Sequence, residues 1–425
     1  MHTSTTSTVP LVSWTAAQLL EATQGYWLND QAPNTEIKRI LTDSRDAEAG
    51  DAFLALKGER FDAHAFITQV AEQGCQVAIV SQPIDAEICQ LVVPDTRLAL
   101  GQLGAYRRAQ NPQLKVIALT GSSGKTTTKE MLGSILSRIA PTLVTRGNLN
   151  NDLGVPVMLL ELRPEHQYAV MELGASHQGE IDYTSNLVQP LVAGIINIGT
   201  AHLGEFGGRD GICRAKSEIY AHIAPNGTSI VPAADDFADS IRQAVQTEQV
   251  LSFGAGGEIF ATEIDLQAQS AIFKLNTPQG VCQVNLPFAG EHNVQNATAA
   301  AAFALAIGIS LDDIVLGLEQ AVGAKGRLNF IQQGRHLLID DTYNANPTSM
   351  RAAAEVLAQQ EGVRVMVMGD IGELGSSAAQ QHYMLGRDLV SVKGLNFVVA
   401  VGEFAPAAQE GARSTQYGKK MQAFL

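Results

Sequence analysis

The sequence predicts an α/β protein of three domains, with an open, doubly wound, mostly parallel sheet in the middle one. Three observations carry that prediction. Short apolar runs at 115–119, 168–171, 192–198 and 229–232 alternate with helical stretches, the pattern of βαβ units. A glycine-rich turn follows the first run directly. The chain has 425 residues, enough for about three domains at roughly 150 residues each.

The elements follow in order. Residues 13–95 read as a compact α/β unit, in which Ile40-Leu41-Thr42-Asp43-Ser44-Arg45 ends a strand in hydroxyl, carboxylate and guanidinium groups. Residues 51–58 are a second strand running into a Lys57-Gly58 turn; 65–73 have helical period and 77–80 form another strand. An Ala/Leu-rich helix, 96–108, leads to Asn111-Pro112, a natural break before the strand 115–119. From Lys129 onward Met131, Leu132, Ile135, Leu136 and Ile139 share one helical face. A strand at 336–340 opens the last segment, with strands 363–368 and 396–401 after it and a helix between them. The expected domains are 1–95, 96–327 and 328–425.

Composition narrows the function classes. With 45% hydrophobic and 17% charged residues the chain can bury real cores. A net charge of −14 with no basic face argues against a nucleic-acid binder. Cys75, Cys89, Cys213 and Cys282 are scattered, which suggests reduced thiols rather than a disulfide framework or a zinc site. The first ten residues lack a basic-then-apolar signal pattern. No apolar run approaches the roughly 20 residues of a spanning helix. A soluble cytoplasmic protein is expected.

Open parallel sheets bind ligands beyond the carboxyl ends of their strands, so the chemistry is sought there. Thr120-Gly121-Ser122-Ser123-Gly124-Lys125-Thr126-Thr127-Thr128 is strand, glycine loop, Lys-Thr, helix. In that arrangement backbone N–H groups and a helix N-terminus converge on an anion. Lys125 would reach the β/γ-phosphates of a nucleoside triphosphate, and the Thr126 hydroxyl would hold Mg²⁺. The usual phosphate-loop pattern wants glycine where Leu119 stands, so only its T-G-x-x-G-K-T core is present. Glu172 follows 168–171 at the same sheet edge; it reads as a Mg²⁺ ligand or as an acid at a helix start. His202 follows the next strand, and alone would be a structural histidine. Lys216, on an amphipathic helix, alone reads as a surface lysine. The run Asp340-Asp341-Thr342-Tyr343-Asn344-Ala345-Asn346-Pro347 suits a ribose or a peptide, or is an Asx-rich turn. The amide-rich loops 148–154 and 290–297 are ligand loops or helix caps.

Taken together these residues resemble the ATP-dependent Mur ligases of peptidoglycan synthesis, related in fold to folylpolyglutamate synthetases. The loop T-G-S-S-G-K-T-T, then M-E-L-G-A (171–175), N-I-G-T-A-H-L (197–203) and A-K-S-E-I (215–219), occur in family order. The run D-D-T-Y-N-A-N-P, the N-terminal D-S-R…G-D-A-F-L-A-L-K-G-E-R-F-D-A-H-A-F and the later G-D-I-G-E-L-G resemble the branch that adds D-alanyl-D-alanine. The similarity runs from about Ile37 to about Phe404.

The resemblance implies amide formation through an acyl phosphate, from UDP-N-acetylmuramoyl-tripeptide, D-Ala-D-Ala and ATP. It implies that Gly121, Ser122, Ser123, Gly124, Lys125, Thr126 and Thr127 hold the phosphates. Thr126 and Glu172 would hold one Mg²⁺, and His202 a second. Lys216 would be a carbamoylated lysine supporting Mg²⁺. Asn293 and Asn296 would meet the adenine side, and Arg327 and Asp341 would meet ATP as the C-terminal domain closes. Asn344 and Asn346 would hold the dipeptide. Ser44, Arg45, Lys57, Gly58, Asp62 and His64 would grip the UDP-sugar in the N-terminal domain. Asn148, Asn150 and Asn151 would face the muramoyl-peptide. A monomer is expected. The C-terminal domain, Rossmann-like in the family, looks truncated here, so residues beyond about Phe404 are expected to be poorly packed. The alternatives are another Mur-type or folate-type ligase, or a nucleotide-binding module without turnover.

Overall fold

A computed structural model describes residues 12–58, 61–200 and 203–424. They form two compact units, residues 12–114 with 145–167, and 115–144 with 168–424. Among the described residues no helix is long and apolar enough to cross a membrane.

The first unit is built on a five-stranded sheet. Its strands are β1 (Tyr26–Trp27), β2 (Ile40–Leu41), β3 (Ala52–Leu54), β4 (Val77–Val80) and β5 (Cys89–Val92), in the order β1-β5-β4-β3-β2. Only β1 runs antiparallel. Both faces are covered, as parallel strands require. Leu54, Ile79 and Leu91 pack with Trp14, Leu19, Leu100 and Leu103, while Phe53, Ala78 and Val80 pack with Ile67 and Val70. The helix Thr96–Ala109 therefore shares its core with the first unit, although its sequence position suggests the middle domain. The expected strands 40–45 and 51–58 are shorter than anticipated, because their polar ends leave the sheet as turns.

The second unit holds a six-stranded, all-parallel sheet of β6 (Lys115–Thr120), β7 (Thr142–Val144), β8 (Tyr168–Glu172), β9 (Val192–Ile195), β10 (Thr228–Pro232) and β11 (Gln249–Phe253). Its order is β11-β10-β9-β6-β8-β7. From β6 the chain winds first to one side and then to the other. That reversal opens a crevice at the carboxyl end of β6, between β8 and β9, where such sheets bind ligands. A three-stranded antiparallel meander follows, β12 (Phe260–Leu266), β13 (Ala271–Thr277) and β14 (Gly280–Leu286). The helix Glu291–Ala306 fills the space beside both sheets: residues 299–304 are five alanines and Phe303, all wholly buried. Small side chains let backbone approach sheet closely on more than one side.

The last part carries the hairpin β15 (Asn329–Gln333) and β16 (His336–Asp340), then a parallel sheet of β17 (Val365–Met368), β18 (Phe397–Val401) and β19 (Met421–Phe424). Residues past Phe404 are packed, contrary to the sequence expectation. Helices Ala378–Ser391 and Ala405–Arg413 cross where Gly386 and Gly411 each face the partner helix backbone, and a Cβ at either position would overlap a carbonyl of that helix. Ala405, Ala408, Ala412 and Met421 close the core against Met368, Val398 and Ala400. The opposite sheet face is apolar and exposed: Val365, Val367, Phe397, Val401 and Phe424.

Candidate active site

The turn after β6 is shaped by its glycines. Gly124 has φ +78°, and a Cβ there would fall on the Asn296 side-chain oxygen. Leu119, where the usual motif has glycine, is a wholly buried strand residue paired between Glu172 and Gly194. It lies ahead of the turn and does not obstruct it. The helix starts at Lys125 rather than Lys129, so the N–H groups of Lys125, Thr126 and Thr127 occupy its first turn, where no intrahelical acceptor exists. The Ser122 and Ser123 amides are used within the fold: both donate to Asn197 Oδ1, at 3.2 and 3.0 Å. The anion-facing amides are therefore those from Gly124 onward, a narrower set than the motif suggests. Gly124→Ala is expected to weaken ADP binding at least about tenfold, since the left-handed backbone alone costs about 1–2 kcal/mol before the overlap with Asn296 is relieved. Calorimetric titration with ADP measures this, and an unchanged affinity would remove the turn from the site.

Three charged side chains gather at the crevice. Lys125 Nζ donates to the Gly121 carbonyl at 2.8 Å. Glu172 ends β8 and is 1% exposed; Lys216 is 2% exposed, in the last turn of the helix Arg209–Ser217. Burial pushes the Lys125 ammonium below its ordinary range, with Glu172 opposing and Arg327 adding to the effect. Lys216 is driven well down, first by burial, then by the neighbouring charge of Lys125, with Glu172 again opposing. Lys216 is buried beside another cation, so the surface-lysine reading fails. His202 lies outside the described residues.

A cavity of about 460 Å³ lies against the phosphate turn, and Lys125, Glu172 and Lys216 are not in its wall. Ser123, Gly124, Thr127, Asn293, Asn296, Arg327 and Asp341 are in its wall, together with residues the sequence reading did not single out, among them Asn197, Arg209 and His292. Burial lowers His292 to about 4, with Glu355 pulling the other way, so its imidazole is neutral. Asn293 and Asn296 are buried and bonded to each other, Nδ2 of Asn296 donating to Asn293 Oδ1 at 3.1 Å. Arg327 stacks 4.5 Å from the Tyr343 ring centre. Asp341 accepts the Leu328 N–H at 3.2 Å.

Asp341 is raised to about 6 by burial, with the Leu328 N–H and Arg327 opposing and Asp340 contributing further. A carboxyl raised in the fold stabilises most when neutral, below its unfolded value of about 4, and that contribution is lost as pH rises through about 6. Wild type is thus expected to lose thermal stability relative to Asp341→Asn between about pH 4 and 7. If ionised Asp341 meets the nucleotide, kcat/KM for ATP climbs through about pH 6 in wild type and stays flat in the variant. Parallel pH profiles for the two proteins would exclude Asp341 from both effects.

The other expected site residues are placed differently. Asn346 caps the helix Pro347–Ala358, accepting the Ser349 amide at 2.9 Å, and Asn344 accepts the next amide at 2.8 Å; neither lines the cavity. Ser44, Arg45, Lys57, Gly58, Asp62, His64, Asn148, Asn150 and Asn151 all belong to the first unit. There Arg45 pairs with Asp43 and holds that carboxyl down at about 2. The His64 ring uses both nitrogens internally: Nδ1 bonds Asp62 at 2.6 Å and Nε2 accepts the Ser81 amide at 2.9 Å. Lys57 lies 3.7 Å from Asp62, and the Gly58 amide donates to the Phe61 carbonyl at 2.8 Å. Asn151 accepts the Gly154 amide at the start of the helix Gly154–Leu160.

Thr126 and Glu172 offer buried, hard oxygen donors. Among the described residues no three His, Cys, Asp or Glu side chains form a ready metal cage. That donor set suits Mg²⁺, which takes one or two protein oxygens and completes its shell with water and phosphate.

Sequence profiles of the Mur ligase family match nearly the whole chain. Residues 36–118 match the Mur ligase family catalytic domain, 119–304 the Mur ligase middle domain, and 326–424 the Mur ligase glutamate ligase domain. The chain is 43% identical to the UDP-N-acetylmuramoyl-tripeptide–D-alanyl-D-alanine ligase of Escherichia coli (strain K12), over 92% of this chain and 87% of that protein. It is 40% identical to the ligase of the same name from Haemophilus influenzae, over 96% and 90%. Among solved structures, MurF from Acinetobacter baumannii superposes with a TM-score of 0.95 at 75% identity, over 98% of this chain and 90% of that one. MurF ligase from Thermotoga maritima in complex with ADP matches with a TM-score of 0.81 at 28% identity, over 91% and 88%.

Proposed function

The chain belongs to the Mur ligase family, and we propose that it joins D-Ala-D-Ala to UDP-N-acetylmuramoyl-tripeptide at the expense of ATP. The observation that carries this reading is the convergence of the phosphate turn, Lys125, Glu172 and Lys216 at one crevice, in a chain similar over nearly its full length to ligases of that name.

A carboxylate resists attack by an amine until one of its oxygens becomes a good leaving group. An oxygen of the tripeptide's terminal carboxylate would attack the γ-phosphorus of ATP as the bond to the β–γ bridging oxygen breaks, releasing ADP. The D-Ala-D-Ala amine would then attack the acyl carbon; the C–O bond to phosphate breaks, and the amine loses a proton. Such transfer depends on alignment and charge neutralisation more than on a protein nucleophile. The first-turn amides and the Lys125 ammonium would neutralise the β/γ-phosphates. Thr126, Glu172, His202 and a carbamoylated Lys216 would hold two Mg²⁺ ions, which supply further neutralisation when bound. The neutral Lys216 amine is the form that adds to CO₂, and its nitrogen would release a proton as the carbamate forms.

Around that centre, segments 1–95, 96–327 and 328–425 would serve the UDP-substrate, ATP, and the nucleotide with the dipeptide. Ser44, Arg45, Lys57, Gly58, Asp62, His64, Asn148, Asn150 and Asn151 would serve the first; Asn293, Asn296, Arg327 and Asp341 the nucleotide; Asn344 and Asn346 the dipeptide. A monomer working in the cytoplasm, where ATP and nucleotide-linked precursors are found, fits this reading. The test is ADP and phosphate release with UDP-muramoyl-tripeptide, leaving out D-Ala-D-Ala, or offering single amino acids or a folate with glutamate instead. Release that needs both the tripeptide and D-Ala-D-Ala is expected; release with folate and glutamate alone would overturn the reading.

A further inference from the structure

Residues 197–199, just past β9, are stitched to three separate places in the fold: the phosphate turn, Asp235 and Arg209. Asn197 takes the Ser122 and Ser123 amides on its side-chain oxygen and returns Nδ2–H to the Ser123 carbonyl at 3.0 Å. Its own carbonyl accepts the Ser122 amide at 3.1 Å. Ile198 is held at both ends, its N–H donating to Asp235 Oδ2 at 2.8 Å and its carbonyl accepting from Arg209 Nη2 at 2.9 Å. The Gly199 N–H donates to Ser122 Oγ at 2.8 Å.

Arg209 is fixed in turn. Its Nη1 meets Asp236 at 2.9 Å, and its guanidinium lies 4.9 Å from the Phe237 ring centre. Asp235 uses its second oxygen to accept the Phe237 amide at 2.9 Å. Strand-end loops usually belong to the easily opened part of a fold. Charged side chains bonded to the Ile198 peptide on both sides argue that this one is built to stay put. Arg209 also opens the helix that ends with Lys216 and Ser217. At 1.5 Å per residue Lys216 sits about 10 Å further along that helix. A continuous bonded route therefore runs from the phosphate turn, through Asn197–Ile198, to Arg209 and down the helix to Lys216.

We propose that Asn197 and Arg209 are positioning residues that couple the geometry of the phosphate turn to the placement of Lys216. Neither needs to touch the reacting atoms. The inference rests on the ligase reading for its effect on turnover, whereas the coupling itself can be read without substrate.

The experiment is a double-mutant cycle with Asn197→Ala and Arg209→Ala, followed by kcat, by ADP affinity and by hydrogen–deuterium exchange. Each single variant is expected to lower kcat about tenfold, with the double variant well short of a hundredfold, because either change breaks the same route. Arg209→Lys, which keeps a donor for the Ile198 carbonyl, should recover part of the loss. Exchange measured with no ligand should quicken in the helix Arg209–Ser217 when Asn197 is truncated, although that residue lies outside the helix. Strictly additive losses, or helix exchange unmoved by Asn197→Ala, would overturn the coupling. If wild type makes no amide product, the ligase reading fails on its own, and the exchange result still decides the coupling.

Discussion

Lys125→Ala is expected to lower kcat by at least about a hundredfold, the scale seen when one preorganised donor to developing charge is removed. The fold should hardly register the change. Among the described residues the Lys125 side chain is in no hydrophobic core, and its ammonium bonds a carbonyl of its own turn. Burial and the nearby Arg327 already work against its charge, with Glu172 as its counterweight. Removing it therefore relieves cation crowding while leaving the crevice without the charge proposed to reach the transferable phosphate. Thermal midpoint, ADP affinity and phosphate release separate these effects. A variant keeping more than about a tenth of wild-type turnover would show that the helix amides and Arg327 suffice, and the phosphate-turn reading of Lys125 would fall.

How much of this was legible depended on what each residue has to do. The strands of the central sheet are buried on both faces, so 115–119, 168–171 and 229–232 stood out as apolar runs and emerged within a residue or so. The meander β12–β14 did not, because only alternate residues of β13, such as Phe273 and Leu275, point into the core while their neighbours are wetter. Lys125 and Glu172 could be found from position, since a residue at a parallel strand's carboxyl end faces the crevice in almost any packing. Lys216 could not: its helical pattern is that of a surface residue, and burial beside Lys125 is a property of the tertiary fold. Asn197 was hidden for another reason. Its role comes from a backbone path that carries 197–199 past Ser122 and Ser123, and no local spacing encodes that path. The expectation of a loose end past Phe404 failed because glycines at 386 and 411, unremarkable in sequence, let two helices meet at backbone distance.

Lys216 offers the sharpest test of the metal-side chemistry. A lysine this buried, next to a second cation, has its proton affinity pushed well down, which favours a lone pair over a charge. That state suits two very different roles. If the amine stays free, Lys216→Arg would place a permanent cation beside Lys125, and CO₂ would be irrelevant. If the amine adds CO₂, the site gains an anion opposite Lys125, and the cation crowding is reversed. Under the second role, which the proposed function requires, Lys216→Ala should lose at least about a hundredfold in kcat and regain part of it with acetate or formate. Those acids supply the missing anion in the space the truncated side chain leaves. Lys216→Arg should be as inactive and gain nothing from the acids, since a guanidinium neither takes up CO₂ nor leaves room. Wild type should slow in CO₂-depleted buffer and recover with bicarbonate, while Lys216→Ala should not respond to bicarbonate through this route. Full activity in the arginine variant would make Lys216 a packing residue, and the anion required near the acyl phosphate would then have to come from Glu172 alone.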